Sequence, residues 1–161
     1  MPSILEIVKK CGVQRYKTGE VALSQGTRTE NLLFLIEGSV EVVIDGVIVA
    51  TESQPGAVFG DLSALMDVDH TATVRALTPC AFHVASNARQ LIEESTFLTK
   101  FLCELLAYRL NAINQYLVAV KHQVDRPKSS DMILFLESLM GRQVPPKKSK
   151  QQAGDKKSPR T

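Results

Sequence analysis

With 161 residues and 44% hydrophobic content, the chain can bury one sizeable core, and nothing in its length asks for a second full domain. No run nears the ~18 apolar residues of a membrane span, and the opening MPSILEIVKKCG lacks the ordered sections of a secretion signal, which predicts a cytoplasmic protein. The formal charge of +2 is unevenly spread: residues 145–161 hold six Lys or Arg against one Asp, leaving the body of the chain mildly acidic.

The first predicted element is a short N-terminal helix within residues 1–12, with Ile4, Ile7 and Val8 on one face ahead of Gly12. From Val13 the period changes. The runs VQRY, EVALS, LLFLI, SVEVVI, VIVAT, TATVRA and CAFHV are rich in β-branched and apolar residues, and Gly, Pro, Asp and Asn separate them. In SVEVVIDGVIVAT, Asp45-Gly46 supplies the positive φ angles of a two-residue hairpin turn, and Val40, Val42 and Ile44 alternate onto one face. Many short strands with no strand-helix-strand rhythm favour a sandwich or jelly-roll barrel.

After Ala85 the alternation stops. A short helix is expected from about Asn87 to Glu94, then a long one from near Ser95 that runs about 28 residues, or roughly 42 Å. Leu98, Phe101 and Leu105 form a stripe suited to packing on the barrel. Leu110, Ile113, Leu117, Val120 and Val124 step by three and four, the seam of a two-stranded coiled coil, and predict a homodimer. Arg126-Pro127 ends this helix. Residues 125–142 then hold a short apolar helix, in which Met132, Ile133, Phe135, Leu136, Leu139 and Met140 need a partner surface, on this chain, on a second copy or on another protein. The basic segment 143–161 has too little apolar content to order itself. It reads as a solubilising terminus or an electrostatic contact.

Cys11, Cys80 and Cys103 are odd in number, widely spaced and without CxxC spacing, so they read as reduced packing residues. His70, His83 and His122 never cluster with a carboxylate at metal-ligand spacing, and no nucleophile elbow, phosphate loop or dinucleotide fingerprint is present. Neither a metal, a cofactor nor an enzyme is expected.

The stretch VFGDLSALMDVDHTATVRAL carries the functional signal. Gly60 permits close backbone approach, and the amides from Asp61 to Ala64 would open a helical turn toward an anion. Thr71 can add a hydroxyl donor. Together with EVALSQGTRTENLLFLIEGSVEVVIDG, this stretch resembles the cyclic-nucleotide-binding domain, in particular the effector domain of the catabolite-activator (Crp/Fnr) regulators, over residues 13–124. The family pattern reads F-G-E-L-A-L, a short loop, then R-S/A-A-T-V; Phe59, Gly60, Leu62, Ala72, Thr73 and Val74 match it.

The resemblance implies a mainly β fold with helices: an eight-stranded antiparallel jelly roll flanked by a short N-terminal helix and a long C-terminal dimerisation helix. It implies a ligand, cAMP, cGMP or another small anion, held by Phe59, Gly60, Asp61, Leu62, Ser63, His70, Thr71 and Ala72; Asn114 of the long helix, whose amide both donates and accepts, is the candidate to meet the base, or else a polar residue that fixes the coiled-coil register. Two positions depart from the pattern. Asp61 stands for the glutamate assigned to the ribose hydroxyl, or caps the cassette helix, and His70 stands for the arginine that pairs with the cyclic phosphate. Loss of such a charged hydrogen bond costs about 1.5–3 kcal/mol, roughly 10- to 150-fold in affinity. His70 is either a substitute donor, with Asp67 and Asp69 able to favour its protonation, or a loop residue with no ligand duty. Arg75 is expected in a surface salt bridge. Without a second helix for DNA reading, sequence-specific DNA binding is not expected. A barrel that has lost its ligand and serves as an interaction scaffold is the alternative function.

Overall fold

The computed structural model describes residues 4–123. Val124, the apolar residues from Met132 to Met140 and the basic segment lie outside the described residues. The chain divides into two compact units, Met1–Asn111 and Ala112–Thr161, with the boundary inside the long helix.

The elements run α1 (Ile4–Val8), β1 (Gly12–Tyr16), β2 (Val21–Leu23), β3 (Leu32–Glu37), β4 (Val40–Ile44), β5 (Val47–Glu52), β6 (Val58–Phe59), α2 (Asp61–Met66), β7 (Thr73–Ala76), β8 (Cys80–Ala85), α3 (Ala88–Glu94) and α4 (Thr96–Gln123). The eight strands form two four-stranded antiparallel sheets, ordered β1-β8-β3-β6 and β2-β7-β4-β5. Seven match the apolar runs of the sequence. The eighth, β6, is two residues long and has no run to announce it.

The continuous apolar sequence of β3 has a simple cause, since both of its faces are covered. Leu33 and Leu35 point into the roll with Leu23, Val40, Val74 and Phe82, while Leu32 and Phe34 point outward under the helices. There they meet Val8, Ala88, Ile92, Leu98 and Leu102 in a second buried layer, against which Phe101 and Leu105 also pack. Full burial of one such side chain contributes about 1.5–3 kcal/mol, so this layer is what fixes α3 and the start of α4 to the barrel. In α1, Val8 is buried and Leu5 joins Ile4 against the layer; Ile7, expected on that face, is only half-buried.

The hairpin closes as expected, with Ile44 opposite Val47 and positive φ at Asp45 (50°) and Gly46 (79°). Val40 and Val42 face the core, but Ile44, at the tip, is exposed. Arg75 lies opposite Glu41 across β7 and β4, and its Nε donates to the buried Glu41 carboxylate at 2.6 Å. All three cysteines are free. Cys80 is buried, but Cys103 is exposed on α4 and packs nothing away from water, contrary to the expectation for it. No described helix is long and apolar enough to cross a membrane.

Candidate functional site

Strand β6 delivers the chain to the cassette with its two side chains pulled to opposite sides. Val58 is buried in the helical layer, and Phe59 sits inside the roll, edge-on to Phe82 at 6.1 Å. Gly60 follows at φ 86°, and a Cβ there would lie 2.6 Å from the Asn31 carbonyl oxygen. Only glycine fits that left-handed, crowded position without strain. Helix α2 starts at once, Ala64 N–H donating to the Gly60 carbonyl at 3.0 Å, and ends at Asp67, itself left-handed at φ 58°.

His70, where the resemblance implies an arginine, is neither a surface residue nor a free cation. Its side chain is buried and both ring nitrogens are engaged. Ser63 Oγ donates to the Gly60 carbonyl at 2.9 Å, so its oxygen is left to accept from His70 Nδ1–H at 2.8 Å. Nε2 is then unprotonated and accepts from the Thr29 hydroxyl at 2.6 Å. The backbone repeats the link: Gly26 N–H donates to the His70 carbonyl and His70 N–H to the Thr27 carbonyl, both at 2.8 Å. Burial pushes the imidazole below its ordinary pKa, and Asp69 opposes this more weakly. Asp69 thus favours protonation as expected, but desolvation outweighs it.

Asp61 is buried, and its carboxylate is already paired. Arg109 of α4 donates from Nη1 to Asp61 Oδ2 at 2.6 Å and from Nη2 to the Val58 carbonyl at 3.0 Å, so one guanidinium grips the chain on both sides of Gly60. Asp61 makes no side-chain cap to its own helix. Sequence reasoning missed Arg109. The signal was there: Leu98, Leu102, Leu105 and Arg109 step by four, three and four, which puts a cation on the stripe that faces the barrel. At the other end of α2, Asp67 pairs with Arg28 and with Arg89 at 3.3 Å. Those two arginines hold its carboxyl below the usual range.

The other expected site residues separate. Phe59 contributes packing, Leu62 is exposed, Ser63 is tied to His70, Thr71 is exposed and Ala72 half-buried on the way into β7. Asn114 is exposed on the part of α4 that belongs to the second unit. A surface groove of about 240 Å³, lined by residues including Cys11, Ala85, Asn87 and Leu91, shares no residue with the cassette.

Residues 13–92 match the family model "Cyclic nucleotide-binding domain". The chain is 37% identical over 62 residues to a cAMP-dependent protein kinase regulatory subunit of Debaryomyces hansenii, covering 38% of this chain and 14% of that protein. It is 23% identical over 143 residues to the potassium/sodium hyperpolarization-activated cyclic nucleotide-gated channel 4 of Homo sapiens, covering 88% of this chain and 12% of that one. The chain thus spans about an eighth of the length of these curated relatives. Its fold is similar to that of the Thermus thermophilus catabolite activator protein, with a TM-score of 0.61 and 21% identity over 71% of this chain and 56% of that one. By its roll, its cassette and this match, the chain carries, over residues 13–92, a member of the cyclic nucleotide-binding domain family.

Proposed function

We propose that this domain binds a cyclic nucleotide, cAMP or cGMP, at the cassette between Gly60 and Ala72, and that it acts as a non-enzymatic regulatory module. The observation that carries the reading is the left-handed Gly60, packed on the Asn31 carbonyl inside the segment that matches the family. The names of the kinase regulatory subunit and the cyclic nucleotide-gated channel point to the same ligand class. In this reading Asp61, oriented by Arg109, accepts from a ribose hydroxyl, and Thr71 donates to phosphate. The exposed Leu110 and Ile113 join a second copy in a cytoplasmic homodimer. The apolar sequence from Met132 to Met140 takes a protein partner.

Calorimetric titration of the purified chain with each nucleotide tests this. Saturable heat supports it, and no heat at millimolar ligand rejects it. A second reading, a barrel that no longer binds and serves as a scaffold, is favoured by one observation: Asp61 and His70 are both partnered within the chain. The His70→Arg variant separates the two, because affinity rises sharply if the pocket is intact and stays absent if it is not.

A further inference from the structure

His70 makes four hydrogen bonds with its backbone and ring, and all of them tie the segment after α2 to other elements. The ring reaches Ser63 of α2 and Thr29 of the loop between β2 and β3; the backbone reaches Gly26 and Thr27 of the same loop. Both ring partners are hydroxyls, and the imidazole has no carboxylate bonded to it. The charged groups on the elements packed around it are few. On α2 and its cap, Asp61 is held by Arg109 and Asp67 by Arg28 and Arg89; on the β2–β3 loop there are Arg28 and Glu30; on its own loop there is Asp69.

The geometry points to His70 as a pH-sensitive latch: in its neutral form it closes the loop of residues 67–72 onto the β2–β3 loop, and protonation releases it. A buried imidazolium costs desolvation that hydroxyl partners do not repay. The neutral ring matches the donor-acceptor chain from Thr29 through His70 and Ser63 to the Gly60 carbonyl. The sign follows from the lowered pKa of the closed form. With an open-state value near 6.5, the closed form takes up fewer protons, so closure is at full strength above about 6.5 and is lost as pH falls toward the closed-form pKa. This holds whether or not a nucleotide binds, so it stands apart from the ligand reading.

The test is hydrogen exchange on the unliganded full chain, read at the Gly26 and His70 amides, with rates corrected for the intrinsic effect of pH. A parallel NMR titration follows the His70 ring, assigned by its absence in His70→Asn. The expected result is a loss of protection at both amides, confined to pH below about 6.5 and tracking the midpoint of His70. Amides of β8, in the sheet that contains neither β2 nor β7, keep their protection. A His70 midpoint at or above the free-histidine value overturns the proposal. So does protection that is unchanged by pH, or a loss spread evenly over both sheets. If that variant does not fold, the pH dependence and location of the amide protection in the wild type still decide the matter.

Discussion

Cutting the bond between Arg109 and Asp61 tests the most consequential contact that the sequence did not announce. Asp61 is 5% exposed and Arg109 is 40% exposed at its side chain, so the pair is neither a surface bridge nor a fully dry one. A hydrogen bond between charged groups contributes about 1.5–3 kcal/mol, above the ~0–1 kcal/mol of exposed pairs and below the penalty of a stranded, fully buried charge. Arg109→Gln keeps much of the aliphatic stem but leaves the Asp61 carboxylate without its cation. For a chain of this size each kcal/mol moves the melting temperature by about 2–4 °C, so a fall of about 3–12 °C is expected. Because glutamine also weakens the contact with the Val58 carbonyl, a double-mutant cycle with Asp61→Asn isolates the pair. Urea unfolding of the four proteins should give a coupling energy of at least about 1 kcal/mol. A coupling under about 0.5 kcal/mol would show that the two residues are neighbours without interaction, and the assignment of Arg109 as the residue that orients Asp61 would fall.

Two further outcomes follow from particular positions. Gly60→Ala and Gly46→Ala share a left-handed strain of about 1–2 kcal/mol, but a Cβ at Gly46 meets open space whereas one at Gly60 meets the Asn31 carbonyl at 2.6 Å. Urea unfolding should therefore rank Gly60→Ala as the more damaging, and equal losses would count against the crowding argument. Replacing both Leu110 and Ile113, each more than half exposed, by Asp should convert a dimer of the full chain to monomer in sedimentation equilibrium; a monomeric wild type would remove the dimer from the proposed function.

The roll was legible because strand periodicity and turn chemistry are local properties. Asp45-Gly46 had to be a tight turn, and the stripe of Leu98, Phe101 and Leu105 had to cover something. Burial was less legible. VIVAT reads as a strand, yet Val47, Ile48 and Val49 are 62%, 56% and 53% exposed, because β5 is the end of its sheet. Its pairing also slips, Val42 facing Ala50 and Val43 facing Ile48, which leaves Val49 as an extra residue of the kind that twists an edge strand. Apolar sequence identified the strand but not its place in the sheet. The cassette was found by its match to a pattern, and both departures from that pattern were seen. What the sequence withheld was their partners. Arg109 lies 48 residues from Asp61 and Thr29 lies 41 from His70, and only the folded chain brings them within 3 Å.

Those partners change how a nucleotide would have to be received. A ribose hydroxyl that displaced Arg109 from Asp61 would gain a hydrogen bond to a charged acceptor and forfeit one of the same kind, while leaving the guanidinium half-buried without its anion. Sharing costs less, because an ionised carboxylate has room for more than one donor and Arg109 occupies only Oδ2. Binding at the cassette should then leave the Arg109 bond in place, and the part of α4 up to that residue should stay fixed to the barrel with or without ligand. A ligand shifts a conformational equilibrium only through contacts that differ between the two states. In the proposed reading any response to nucleotide must therefore arise from groups with capacity left over, the second carboxylate oxygen of Asp61 and the exposed Thr71, rather than from His70, whose two ring nitrogens are both engaged.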